Sequence, residues 1–223
     1  MTPSTRPALT IDVVSDVVCP WCYIGKRHLE SALSQWRAAS PTASDVDIIV
    51  RWHPFQLNPD LPAAGIDRKS YLEQKFGGKT RAAEIYARVG AAGNAAGLSL
   101  NFDGIEKQPN TLAAHALINH VQHAHPAHAD AMVERLFKAY FIDGVFIGDV
   151  ETLATLSAEF GIDANEIRTM LSDPAMLEQI AAQDASTRAQ GITGVPFFIF
   201  NNQRTLSGAQ PVEVIRQAIE QSI

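Results

Sequence analysis

The sequence predicts an α/β chain in which a βαβ opening and a ββα ending enclose a long block of helices. Three observations lead there. Apolar residues alternate around 9–13 and again around 46–52, with a helix-length crossover between them. Segments of helical period, punctuated by caps, run from about 66 to 190. The short apolar run "VPFFIF" then introduces a second strand and a last helix.

Leu9, Ile11 and Val13 alternate with Thr10 and Asp12, the period of a half-buried strand. Leu29, Leu33 and Trp36 recur at i, i+4, i+7, with Lys26, Arg27, Glu30 and Arg37 off that stripe. This predicts an amphipathic helix of about five turns, ended by "SPTASD". Val46, Ile48, Val50 and Trp52 alternate with Asp47 and Arg51 up to Pro54, a second strand. A strand, a helix-length crossover and a strand make parallel neighbours.

In the helical block, Asn110 or Thr111 can cap a helix bearing Leu117, Ile118 and Val121, which Pro126 ends. Met132, Leu136 and Tyr140 mark the next helix. Asp149 can cap one with Leu153, Leu156 and Phe160, closed by Gly161. Asp163 with Glu166 three residues on has the spacing of a capping box. Asp173 before Pro174 reads as an N-cap with proline at the first helical position, and Gly191 suits the far end. "NNQ" is a turn, "RTLSG" an edge strand, and Pro211 opens a helix with Val214, Ile215, Ala218 and Ile219 inward.

The 223 residues suffice for a real core, and 46% hydrophobic with 19% charged residues is ordinary for a globular protein. A net charge of −6 with no basic stripe argues against nucleic acid and anionic membrane surfaces. No apolar run has the length of a membrane span. "MTPSTRPALTIDVVSD" lacks the apolar stretch of a signal peptide, so the expected compartment is the cytoplasm.

The chain has only two cysteines, Cys19 and Cys22, in "SDVVCPWCYIGK". Two cysteines in a cytoplasmic chain do not make a structural disulfide framework, and one close pair falls short of the two pairs or the Cys₂His₂ pattern of a structural zinc site. Cys19 falls where the first strand hands over to the helix. Free N–H groups and the positive end of the helix dipole favour a thiolate there. Cys22 lies one turn inward on the same face, within disulfide reach. Pro20 suits the first helical turn. The pair therefore reads as a reversible dithiol switch: Cys19 attacks a disulfide and Cys22 resolves the mixed intermediate. Asp16, three residues earlier, would oppose ionisation of Cys19 if it pointed the same way. Trp21, between the thiols, should be partly exposed as a substrate contact, whereas Trp36 and Trp52 read as core.

"VVCPWCYIGK" after a strand and "TGVPFF" near the C-terminus resemble the thioredoxin superfamily. "HPFQLNPDLP", "PNTLAAHALI", "LFKAYFIDG" and "GVPFFIFNNQRTLSGAQP" are similar more narrowly to the DsbA-like group that includes FrnE-type proteins, over about residues 9–221. The resemblance implies a thioredoxin-like fold with an all-helical domain, residues 66–190, inserted between strands 2 and 3 of a discontinuous domain, residues 1–65 and 191–223. It implies Cys19 as attacking and Cys22 as resolving thiol, and a cis bond before Pro196, with Val195 beside the disulfide where extended substrate backbone pairs. X–Pro bonds tolerate cis, and a proline opening a buried strand needs a special reason.

Relatives of this architecture include 2-hydroxychromene-2-carboxylate isomerases and kappa-class glutathione transferases, which typically carry serine or a lone cysteine at the Cys19 position. Both thiols here favour disulfide exchange. Asn110 falls in a phrase those relatives share, which makes it a candidate substrate contact, although helix capping explains it as well.

The expectation is a thiol–disulfide oxidoreductase acting on a disulfide-bearing protein or small thiol. It needs no cofactor beyond the cysteines, admits glutathione as co-substrate, and is a monomer or homodimer. The alternatives are a glutathione-dependent isomerase or transferase and a redox-sensing or chaperone-like binding module. His115, His120, His123, His125 and His128 are dense, but Pro126 interrupts any regular face, so they read as a solvated helix end and no metal site is expected. His53 reads as strand-end packing.

Overall fold

The computed structural model describes residues 8–41 and 43–223. The expectations for residues 1–7, and for Thr42 within the first helix break, lie outside the described residues. β1 (Ala8–Ser15) leads into α1 (Pro20–Ala39) and β2 (Asp47–Pro54). Then follow β3 (Ile66–Asp67), α2 (Arg68–Phe76), α3 (Lys79–Ala95), β4 (Lys107–Gln108), α4 (Leu112–Ala124) and α5 (Ala129–Phe141). α6 (Val150–Ala158), α7 (Ala164–Leu171) and α8 (Pro174–Ala189) complete the helical stretch, and β5 (Phe197–Phe200), β6 (Arg204–Ser207) and α9 (Val212–Glu220) close the chain.

The main sheet has the order β2-β1-β5-β6. β1 runs parallel to β2 over its whole length and antiparallel to β5, where Val13 faces Phe198 and Val14 faces Phe197. β6 pairs antiparallel with β5 as the edge. Asn201 and Asn202, at φ 48° and 54°, make the turn between them, a conformation asparagine tolerates better than most residues. The stretch between β2 and β5 is mainly helical but not wholly so: Ile66–Asp67 pairs antiparallel with Lys107–Gln108 in a two-residue ribbon.

β1 departs from a half-buried strand. From Ile11 to Ser15 every residue is buried, because the strand is central and both its faces are covered. α1 and α9 pack together, with α1 against Phe198, while α4 and α8 pack on β2. Asp12, 5% exposed, is the charged exception. Burial opposes its ionisation, but a bidentate Arg51 at 2.8 and 2.9 Å and His53 at 2.7 Å hold its carboxyl below the usual range. His53 thus serves as an ion partner rather than as strand-end packing.

Three other expectations are corrected. Glu166 does not close a capping box on Asp163, whose carboxylate caps Asn165 N–H; Glu166 turns to His120 and His125 instead. Val214 of α9 faces solvent, and Ile215, Ala218 and Ile219 carry the packing. Lys26, off the apolar stripe of α1, is 2% exposed. Its ammonium is ringed by Glu30, Asp130 at 3.0 Å and Glu134 at 3.4 Å, so α1 is bolted to α5 beside Tyr23 stacked on Phe137. Such a cation stays buried only with this full set of acceptors.

Lys26→Met should leave Asp130 without its cation and Glu30 and Glu134 to share Arg27 alone. Because they are partly solvated, the expected loss is about 1–3 kcal/mol, read from the urea midpoint at constant m-value.

Candidate functional site

Cys19 is the N-cap of α1, with extended backbone (φ −94°, ψ 112°) and Pro20 at the first helical position. Its carbonyl accepts the N–H groups of Cys22 and Tyr23 at 3.0 and 3.3 Å, and its own N–H donates to Asp16 O at 2.9 Å. Cys19 and Cys22 are 5% and 2% exposed, and both are free thiols. Burial, followed by the adjacent Cys19 sulfur, pushes the Cys22 thiol up from its ordinary value. The inner thiol therefore holds its proton.

The segment entering β5 closes the other side. The Val195–Pro196 peptide is cis, and Cys19 Sγ lies 3.8 Å from Val195 O. This contact spans 176 positions of sequence. Gly25 permits it: a Cβ there would stand 2.9 Å from Pro196 Cγ and 3.2 Å from Phe198 Cζ, so a larger residue would push α1 off the strand. Sequence reasoning passed over Gly25, since a glycine inside a helix shows no signal until its neighbour across the fold is known.

Above the thiols opens a cleft of about 310 Å³. Cys19, Trp21 and Val195 form its floor and lip, Leu57 and Asn58 one side, and Leu72 and Phe76 of α2 with Tyr86 of α3 the wall. Trp21 is 42% exposed. Lys75 is the one cation lining the cleft among the described residues; it donates to Tyr71 Oη at 2.7 Å and lies over the Tyr71 and Phe76 rings.

Asn110 is not brought to this cleft. Its Oδ1 accepts Gln56 Nε2 and Leu112 N–H at 3.1 and 2.9 Å, while Nδ2 donates to Pro59 O and Leu61 O at 3.1 and 2.8 Å. Thr111 holds the N-cap position, but the Asn110 amide supplies a capping bond and pins the loop after β2. The same loop is held by Asp184 Oδ1, which accepts Gln56 N–H at 3.0 Å, and by Asp16 Oδ2, which accepts Leu57 N–H at 2.8 Å. Leu57 and Asn58 are thereby set at the cleft.

Asp16, 0% exposed, is turned inward, and its Oδ1 stands 3.3 Å from Nε2 of His115, itself 4% exposed. The hydroxyl of Ser15, also buried, interacts with the Cys22 thiol, as does the Asp16 backbone. Ser15 Oγ, Asp16 Oδ1 and His115 Nε2 have no well-formed hydrogen bond. Ser15 and His115 border a cavity of about 10 Å³, the size of a single water. Buried polar atoms in this condition are costly and are concentrated where chemistry uses them. The sequence groups His115 with the solvated histidines, whereas the structure buries it. Only the docking of α4 on β2 brings it to the Asp16 carboxylate, three residues before Cys19.

A four-stranded mixed sheet with helices on its faces and a helix start facing an X–Pro turn defines a thioredoxin-fold protein. Residues 10–220 match the family model described as DSBA-like thioredoxin domain, and the chain belongs to that family. The uncharacterized protein YwbO of Bacillus subtilis is 26% identical over 211 residues, 94% of each chain. The crystal structure of the probable DsbA oxidoreductase SCO1869 from Streptomyces coelicolor aligns at a TM-score of 0.83 and 30% identity, covering 96% of this chain and 89% of that one. The cytosolic disulfide reductase DsbM from Pseudomonas aeruginosa, solved with GSH, shares the fold at a TM-score of 0.64 and 18% identity, over 95% of this chain and 98% of that one.

Two outcomes follow from these contacts. Gly25→Ala should cost about 1–3 kcal/mol by overpacking against Pro196, seen as a lower urea midpoint. A raised Cys22 pKa means the folded state keeps a proton that the unfolded chain releases from about pH 8.5 upward, so its share of stability is present at lower pH and lost as pH rises. Reduced wild type should lose more stability than Cys22→Ser between about pH 8 and 10 in parallel urea titrations.

Proposed function

We propose that this DsbA-like protein is a thiol–disulfide oxidoreductase in which Cys19 and Cys22 carry the electrons. The observation that supports it most is the placement of Cys19 Sγ 3.8 Å from Val195 O at the floor of an open cleft, with Cys22 deeper and its thiol pushed up by burial. Cys19 as thiolate attacks a substrate sulfur, forming a mixed disulfide and releasing one substrate thiol. Cys22 then gives up its proton and attacks Cys19 sulfur. The second substrate thiol leaves, and a Cys19–Cys22 disulfide remains for an external thiol to reduce. In a cytoplasmic setting that donor is the cellular thiol pool, with no other cofactor required.

Pro20 and Trp21 shape the approach, and Val195 and Pro196 present backbone along which an extended substrate lies. The proton of Cys22 passes towards the Asp16 and His115 side chains, with Ser15 Oγ beside the sulfur. Imidazole and carboxylate side chains are the usual proton acceptors in such a step. Asn110 acts on the site only by holding the loop that carries Leu57 and Asn58.

Glutathione as the small thiol is a second reading. Lys75 offers a partner for a carboxylate in a mainly apolar cleft, and the cytosolic reductase that shares the fold was solved with GSH. Under a glutathione-dependent isomerase or transferase mechanism, Cys22→Ser would retain turnover. Under dithiol exchange it would stall as a mixed disulfide.

An insulin-reduction assay should give turnover in wild type, background rates in Cys19→Ser, and a trapped, mass-detectable adduct in Cys22→Ser. Absence of thiol exchange in wild type, together with saturable glutathione binding weakened in Lys75→Ala, would overturn the ranking. His115→Gln should slow the Cys22 step by about 100-fold while the first attack by Cys19 is unchanged, and should flatten the pH profile of release of the second thiol.

A further inference from the structure

His120, near the end of α4, and His125, just after it, converge on Glu166 of α7. His120 Nε2 lies 2.6 Å and His125 Nε2 3.3 Å from the same oxygen, Glu166 Oε1. Each residue offers one donor atom, and all three lie within 4.8 Å of one another. They are half-buried, with side chains 18%, 32% and 39% exposed, so they are ordered by the fold yet open to solvent.

We propose that His120, His125 and Glu166 form a binding site for one dication of the zinc, cobalt or nickel class. Donors bound to a single zinc at about 2.0–2.1 Å stand roughly 3.3 Å apart in a tetrahedron. The His125–Glu166 separation already has that value, and the 2.6 Å His120–Glu166 pair needs only a small widening. Two imidazoles and a carboxylate suit borderline transition metals rather than calcium or magnesium, which favour all-oxygen shells. Three protein ligands leave a fourth position for water.

The placement of Glu166 adds a second reason. Its position three residues after Asp163 suits a reciprocal cap, yet its carboxylate is committed to the two rings. His123 does not belong to the set, because its Nδ1 bonds Asn119 O at 2.7 Å. A bound ion would staple the end of α4 to the start of α7. Protons compete with the metal for these ligands, so binding weakens as pH falls.

The test is independent of the redox reading. The full chain carrying Cys19→Ser and Cys22→Ser, which removes the thiols as competing ligands, is titrated with zinc chloride at pH 7.5 by calorimetry, and its Tm is followed in parallel. The expected result is one site per chain and a Tm that climbs with zinc concentration. His120→Ala, His125→Ala and Glu166→Gln should each weaken binding by at least about 10-fold, with His123→Ala unchanged. Circular dichroism of each variant verifies folding. No saturable heat in the parent chain, or affinity unchanged in all three folded variants, overturns the site and leaves a hydrogen-bonded His–Glu cluster only.

Discussion

The start of α1 must lie against the segment entering β5, and most of the architecture follows from that contact. Cys19 meets Val195 across 176 residues of chain. Such a meeting has a large loop-closure cost, so it persists only because both partners are anchored elsewhere. β1 anchors one by pairing with β2 on one side and β5 on the other. β5 anchors the second through Phe198 and Phe200, both fully buried. Gly25 then removes the one side chain that would hold the elements apart.

The helical stretch between β2 and β5 supplies what the sheet lacks. α2 and α3 raise an apolar wall over Cys19, and α4 carries His115 to the Asp16 carboxylate. The loop between these layers is held by polar bonds rather than by burial alone: Asp16, Asn110 and Asp184 each take up a backbone or amide group near Gln56 and Leu57. Buried bonds of this kind are directional and fix position where apolar contacts would allow sliding. The apolar core is continuous from α1 through α5 to α9, so wall and floor are parts of one packed body.

Much of the plan was legible in order along the chain. Alternation marked β1 and β2, caps at Asp149, Asp163 and Asp173 marked helix starts, and the Cys19–Cys22 pair marked the start of α1. These are local signals: each depends on residues within one or two turns, and propensity and capping act over that distance. Even the misplaced details were local in origin. Glu166 has the spacing of a cap, and Val214 the hydrophobicity of a core residue, but a partner elsewhere claimed the first and solvent the second.

Local pattern alone established the βαβ opening, the capped helices from α4 to α8, the ββα ending, the paired thiols at a helix start and the exposed Trp21, but not the β3–β4 ribbon. Tertiary packing decided the rest: that β1 is covered on both faces, that Lys26 is buried among three carboxylates, that Asn110 serves a loop, and that His115 and the His120–His125–Glu166 group acquire partners. The reason is physical. A charge or an imidazole takes its properties from the groups within a few ångströms of it in space, and those are set by helix docking between residues tens to hundreds of positions apart.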